Sequence, residues 1–472
     1  MIAPAPSAPR LRVLSVEVRE RMMPFVRPFR FGPSVVEAAP QAFVRVVVEV
    51  EGAGTATGLA AEMMMPRWFD KAPHKSPDET VNDLRRVLVQ AAALYGAAPA
   101  GTAYDLSAQA QGAQAAWAAG QGIPPLAANF GPALLDKAVL DGLLRALSLS
   151  FPQGLARNVA GLDARAAPDL AGGRIDAVLA ALAPVSSVAL RHTIGLMDPL
   201  EGPHGLAAEI AAARLAFFKI KIGGDLPADI DRLAAITATL ARLVPDFRAT
   251  LDANEQYDPD LLCQLVAALG TPALAPLKAR LLYLEQPFDR VETFARPLPA
   301  LDGIPVIIDE ADGTLDAFPR ARALGYRGVS SKACKGLYKS LLNAARVTAA
   351  QVTAGEAIFL SAEDLTCQPG LGIEQDLALV AALGLTHGER NGHHYVDGFG
   401  PAPEAEAHAF AAAHPDLYGV TDGRAALDVS RGALPAAALL SAPGFARRAE
   451  PDWASLSPIA LPTPKALQET HA

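Results

Sequence analysis

Five short segments constrain the fold of this chain more than any other feature: Lys219-Ile-Lys221, Asp252-Ala-Asn254, Glu285-Gln-Pro287, Asp309-Glu310 and Ser331-Lys332. Each closes an apolar run that reads as a buried strand. Successive segments lie roughly 23 to 33 residues apart, the length of one strand, one helix and two loops, which is the period of a (β/α) barrel. In such a barrel the C-terminal ends of the parallel strands share one mouth, so side chains distant in sequence converge there. Candidate strands fall at 187–194, 215–222, 247–252, 281–285, 304–309, 327–332, 356–361 and 384–389, with Ala- and Leu-rich helical segments such as 229–243 and 259–269 between them.

The preceding sequence has a different order. Residues 11–20 and 42–51 read as strands, and glycine-broken 52–61 reads as a hairpin with a further strand. Ser76-Pro-Asp-Glu-Thr then opens a helical stretch to about 148, with a polar cap and an early proline. Strands followed by helices suggest an α+β domain. The expected organisation is an α+β capping domain over 1–150, a connector or insertion over 151–186, the barrel over 187–402, and a C-terminal segment, 403–472, packing back on the cap. The fold class is therefore α/β, a modified (β/α) TIM-type barrel with an α+β capping domain.

A length of 472 residues suits such a barrel plus one further domain. The net charge of −9 and the absence of a long basic run argue against a nucleic-acid surface. Three scattered cysteines, Cys263, Cys334 and Cys367, supply neither a disulfide framework nor a CxxC zinc motif. Residues 1–9 lack the basic and apolar regions of a signal peptide, and no apolar run is long enough to span a bilayer. A cytoplasmic protein without membrane or nucleic-acid partners is expected.

At the predicted mouth, Lys219 and Lys221 alternate along a strand and share a face. Each cation disfavours protonation of the other, and burial adds to this, so one of the pair is expected to be neutral and basic. Asp252, Glu285 and Asp309 each end an apolar strand, where an unpaired buried charge is costly. Three converging carboxylates with no Cys or His favour Mg²⁺ or Mn²⁺ over Zn²⁺. Asp309 and Glu310 are adjacent, so only one is expected to face inward.

These motifs, KIK, LDAN, LEQP, IIDEA and the lysine of SSKACKG, resemble the enolase superfamily, in its mandelate racemase/muconate-lactonizing type and lysine–lysine subgroup. The resemblance spans nearly the whole chain. It implies Mg²⁺ held by Asp252, Glu285 and Asp309, acid/base lysines Lys221 and Lys332, and Lys219 tuning Lys221. The implied reaction removes a proton α to the carboxylate of a small acid through a stabilised enolate, the superfamily pattern of lysine or histidine base with Mg²⁺. It leads to dehydration by a lyase, or to racemisation or epimerisation by an isomerase. A homo-oligomer is expected by analogy.

The seventh strand ends in Ser361-Ala-Glu-Asp364 without histidine, which disfavours a His-Asp dyad. The sixth-strand loop carries Lys335, read as a solvated lysine. In the eighth-strand run His387-Gly-Glu389-Arg-Asn-Gly-His393-His394, Glu389 is read as a substrate contact if protonated, an orienter of a lysine, or a partner of Arg390. His393 and His394 are read as loop packing. In the cap, Met22 to Gly32 and Met63 to Lys71 are the specificity segments, Trp68 and Phe69 suggesting an apolar lid and Arg27, Arg30 and Lys71 a distal anion contact. Asn254, Glu389, Arg30 and Trp68 complete the substrate-binding candidates. Two other functions compete: a Schiff-base aldolase using Lys332, and a non-catalytic metal-stabilised binding protein.

Overall fold

The computed structural model describes residues 8–170, 174–355, 357–459 and 461. Eight parallel strands form a closed ring: β4 (Ser187–Ile194), β5 (Phe217–Lys221), β6 (Arg248–Asp252), β7 (Leu281–Glu285), β8 (Val306–Ile308), β9 (Gly328–Ser331), β10 (Phe359–Ala362) and β11 (His387–Arg390), with β11 pairing back on β4. The register of β5 on β6 sets Lys221 opposite Asp252, and that of β6 on β7 sets Asp252 opposite Glu285. The predicted strand ends therefore line one rim.

Before the barrel, β1 (Leu11–Phe31), β2 (Ser34–Val50) and β3 (Gly54–Met63) form an antiparallel sheet. The first two strands run well past their expected ends, making a long hairpin with a register shift between Pro24 and Phe29. Four helices follow, α1 (Pro77–Ala97), α2 (Ala103–Gly120), α3 (Pro125–Ala128) and α4 (Phe130–Ala146), of which α1 and α4 pack on this sheet and α2 and α3 pack on those two. The first two start at full capping boxes, Ser76 with Glu79 and Thr102 with Asp105, which satisfy otherwise orphaned N–H groups. Helix α4 is buried along nearly its whole length. It approaches β3 at Gly58, where a Cβ would lie 1.9 Å from the Ala138 carbonyl oxygen.

The stretch 151–186 carries α5 (Phe151–Ala156) and α6 (Arg174–Ala181). The barrel helices follow: α7 (Leu206–Ala213), α8 (Leu226–Leu243), α9 (Pro259–Ala268), α10 (Ala275–Lys278), α11 (Ala317–Ala323), α12 (Leu337–Ala354) and α13 (Leu371–Ala382). Beyond the last barrel strand come α14 (Gly392–Tyr395), α15 (Glu404–Ala413), a hairpin of β12 (Tyr418–Thr421) and β13 (Arg424–Leu427), β14 (Ala433–Pro435), α16 (Ala437–Ser441) and β15 (Ser457–Pro458). The C-terminal segment is shared between the two layers. Its β15 pairs with β1, while β14 pairs antiparallel with the first residues of β4, below where β5 begins. Among the described residues no helix is long and apolar enough to cross a membrane.

Candidate active site

Lys219 lies at the centre of the barrel mouth. Its Nζ is 2.9 Å from oxygens of Asp252, Glu285 and Glu389, and 2.8 Å from Glu363, so carboxylates from or beside four strands surround one ammonium. Burial would pull this lysine down, but the four carboxylates outweigh it and raise it well above the ordinary lysine value. Lys219 is therefore held charged. The expected mutual neutralisation of Lys219 and Lys221 is corrected on this side of the pair: carboxylates, rather than a neighbouring cation, dominate the surroundings of Lys219.

Lys221 Nζ is 2.5 Å from Asp252 Oδ2 and 2.9 Å from Asn254 Oδ1. Asn254 has φ 41°, a left-handed conformation rare outside glycine, and this turn aims its side chain back at the mouth. Its Nδ2 donates to Glu310 Oε1 at 2.9 Å, so Glu310 braces Asn254 while Asp309 faces the lysines. Lys332 Nζ is 2.6 Å from Asp309 Oδ2 and 4.3 Å from the centroid of the Trp68 ring. Burial opposes its charge, yet Asp309 raises it above the ordinary value. Lys335 is buried, not solvated, and bonds Ser330 Oγ at 2.6 Å and approaches Asp309 Oδ1 at 3.3 Å. Glycine in its loop concealed this, because Gly336 (φ 110°) turns the chain inward before α12.

Gln286, φ 37°, lies between two carboxylate-bearing strand ends. Its Oε1 accepts from the Asp309 and Ala311 backbone N–H groups, and its Nε2 donates to the Phe288 carbonyl. It thus fixes the turn that presents Asp309.

Sequence reasoning missed the far side of the ring. Arg191, on β4 and fully buried, pairs with Glu363 and donates to the Ala362 carbonyl at 2.6 Å. Tyr283 donates to Glu363 at 2.8 Å. Burial raises the Glu363 carboxyl, but Arg191 and Lys219 together hold it far below the ordinary range. Thr193 and Asn391 donate to Glu389 Oε1 at 2.7 and 3.1 Å. Despite burial, Lys219 and Lys221 lower the Glu389 carboxyl, so it is ionised and serves as an acceptor that orients Lys219. Of the alternatives read for Glu389, the Arg390 pairing is corrected: Arg390 lies 2.7 Å from Asp376 and 3.6 Å from Asp364.

A small cavity under the cap is lined by Lys221, Lys332, Asn254, Glu389 and Asn391 from the barrel and by Phe29, Phe31, Met65 and Trp68 from the cap. The loop bearing Trp68 is clamped down. Arg290 donates to the Phe69 and Trp68 carbonyls at 2.8 and 3.2 Å, and Lys71 donates to the Asn254 carbonyl at 2.8 Å while pairing with Glu255. Lys71 is thereby spent on the barrel, and Arg27 on Glu209 at 3.3 Å. Arg30 is exposed and bonds the Gly32 carbonyl of its own hairpin, away from the cavity lining. The cap face offered to a ligand is aromatic.

A cation fits the rim. The donors are all oxygen, and Glu285 Oε2 is buried with no hydrogen-bond partner. Burial and the neighbouring Asp252 and Glu363 charges push the Glu285 carboxyl well above its ordinary value, the mark of a site short of positive charge. Asp252 and Asp309 are each held by lysines, so a bound metal would share their oxygens with, or take them from, Lys221 and Lys332.

No family model matches the sequence, and no curated protein matches it. Solved structures match the fold. The dipeptide epimerase of Enterococcus faecalis V583, complexed with Mg and the dipeptide L-Leu-L-Tyr, is 17% identical, the match covering 92% of this chain and 99% of that one at a TM-score of 0.59. A putative mandelate racemase/muconate lactonizing enzyme from Roseovarius nubinhibens ISM is 17% identical over 93% and 97% of the two chains, TM-score 0.57. An enolase from Bradyrhizobium, complexed with magnesium and mandelic acid, is 18% identical over 84% and 90%, TM-score 0.52. The chain therefore carries the capped TIM-type barrel fold of these dipeptide epimerase and mandelate racemase/muconate lactonizing enzyme structures.

Proposed function

We propose that this protein is an enzyme that removes and returns the proton α to the carboxylate of a small acid. The observation that carries the reading is the pairing of Lys221 and Lys332 across one cavity. They extend from the ends of β5 and β9, which are four strands apart in a ring of eight and so diametrically opposed. A planar acid between them presents one face to each. Lys221 is the group that takes the proton on one side, and Lys332, kept charged by Asp309, returns it on the other. This favours racemisation or epimerisation. Dehydration, in which one lysine removes the proton and the enolate expels a β-leaving group, is the second outcome of the same chemistry.

Asp252, Glu285 and Asp309 are the residues that would hold Mg²⁺, with Mn²⁺ the alternative ion. When bound, it supplies Lewis-acidic charge that lowers the cost of enolate formation. Lys219 adds a fixed positive charge that needs no reorganisation during the reaction, and the aromatic cap residues exclude water. A Schiff-base aldolase on Lys332 would leave Asp252, Glu285 and Asp309 at the rim without a role. A cytoplasmic homo-oligomer without nucleic-acid partners is the accompanying reading.

The test incubates the protein with Mg²⁺ in D₂O and a library of sugar acids, hydroxy acids and N-acyl or dipeptide acids, followed by NMR. Deuterium entering an α-carbon, and lost with EDTA, supports the proposal. No exchange in any acid, with Mg²⁺ binding demonstrated, shifts the reading to a binding protein.

A further inference from the structure

The histidines after β11 take no part in this chemistry, yet they meet others outside the barrel wall. His394 Nε2 lies 2.9 Å from His192 Nδ1, His192 Nε2 lies 2.9 Å from Glu209 Oε2, and His394 Nδ1 lies 3.6 Å from Glu209 Oε1. The three residues come from α14, β4 and α7. His192 points outward because its neighbour Thr193 points into the barrel to Glu389.

Two of these contacts are at hydrogen-bond distance, and the two N–H groups of two neutral imidazoles fill them when His394 Nε2–H donates to His192 Nδ1 and His192 Nε2–H to Glu209 Oε2. In that arrangement the unprotonated His394 Nδ1 faces Glu209 Oε1 across 3.6 Å, a gap no hydrogen bond spans. A metal ion closes such a gap, because ligands about 2.0–2.1 Å from a tetrahedral ion lie about 3.3 Å from one another. One ligand atom from each residue already lies within 4.8 Å of the other two. Beside them His393 Nδ1 is buried without a hydrogen-bond partner, its ring centroid 4.0 Å from that of His394.

We propose that His192, His394 and Glu209 bind a divalent first-row transition metal, Zn²⁺ by its preference for two imidazoles and a carboxylate, at a site separate from the barrel-mouth carboxylates. The ion ties β4, α7 and α14 together. Tyr395, next in the chain, packs on Phe29 of the cap hairpin with ring centroids 4.3 Å apart, so the site also steadies the roof of the cavity. The other compact group of potential ligands, Asp364, Cys367 and Asp376, already faces the Arg390 guanidinium, a cation that occupies the place of a metal. Arg27, 3.3 Å from Glu209 Oε1, is a cation that opposes the metal and supplies an independent check.

The full-length protein is stripped with a chelator and titrated with Zn²⁺ against a chromophoric competitor, in millimolar Mg²⁺ to occupy the oxygen site. One equivalent of Zn²⁺ is expected to bind, and Co²⁺ in its place to give the intense visible bands of a tetrahedral site. Glu209→Gln and His394→Gln should each weaken Zn²⁺ binding by more than about 100-fold, beyond the cost of losing a group that only supports a ligand. Circular dichroism should be unchanged, and Asp309→Asn should leave Zn²⁺ binding intact. Absence of uptake, or uptake equal in both variants, overturns the proposal. Should both variants fail to fold, Arg27→Gln decides: tighter binding supports the site, and equal or weaker binding overturns it.

Discussion

Lys221 and Lys332 face the cavity from opposite strands, so their replacements should differ in stereochemistry rather than only in rate. Lys221→Ala is expected to abolish deuterium exchange from one enantiomer of a substrate and Lys332→Ala from the other, each by at least about 10²-fold. Chiral chromatography of exchanged acid checks this, and equal losses for both enantiomers in both variants would count against opposed roles. Glu363→Gln makes a different statement. Arg191 is fully buried against Glu363, and leaving that guanidinium without its charge partner should cost about 3–5 kcal/mol, measurable by urea unfolding. At this scale the lysines and the three acidic strand ends were legible because each interrupts an apolar run. Glu363 and Arg191 were not. In a short strand flanked by other polar residues, nothing in local pattern separates an inward charge from an outward one, and the only signal was the alternation of Arg191 and Thr193 on one face of β4.

Among the elements, the barrel strands were legible to within three residues at each end, since strands buried on both faces read as continuous apolar runs. The long cap hairpin was not, because Pro24, Pro28 and Pro40 break the strand pattern. Strand β3 and helix α4 meet at Gly58, whose Cβ would fall 1.9 Å from the Ala138 oxygen and 2.5 Å from the Gly142 nitrogen. Gly58→Ala should therefore destabilise the cap by at least about 1–3 kcal/mol, read as a lowered thermal midpoint. Helices α1, α2 and α4 are joined by Asp136, which accepts from Tyr95 at 2.5 Å and from Ser107 at 2.9 Å. Burial raises its carboxyl to about 7. The folded state therefore holds a proton that the unfolded chain, titrating near its ordinary value, has released. This contribution is complete below about pH 4, declines as the pH rises through about 7, and is flat above. Chemical denaturation between pH 5 and 8 should show that decline, and Asp136→Asn should flatten it.

For the molecule as a whole, a cation that binds only the folded barrel must stabilise it by mass action, about 2.7 kcal/mol at a hundredfold excess over Kd. Addition of Mg²⁺ should raise the thermal midpoint, EDTA should reverse the rise, and Glu285→Gln should abolish most of it. The centre of the barrel carries one further consequence. Lys219 is shared by Asp252, Glu285, Glu363 and Glu389, which come from or beside β6, β7, β10 and β11. No member of this set can be exchanged alone without leaving another charge stranded. Descendants of this sequence should therefore change the five positions in concert or not at all, while the cap residues above them drift freely, so that new substrates arise by altering the roof and leaving the hearth untouched.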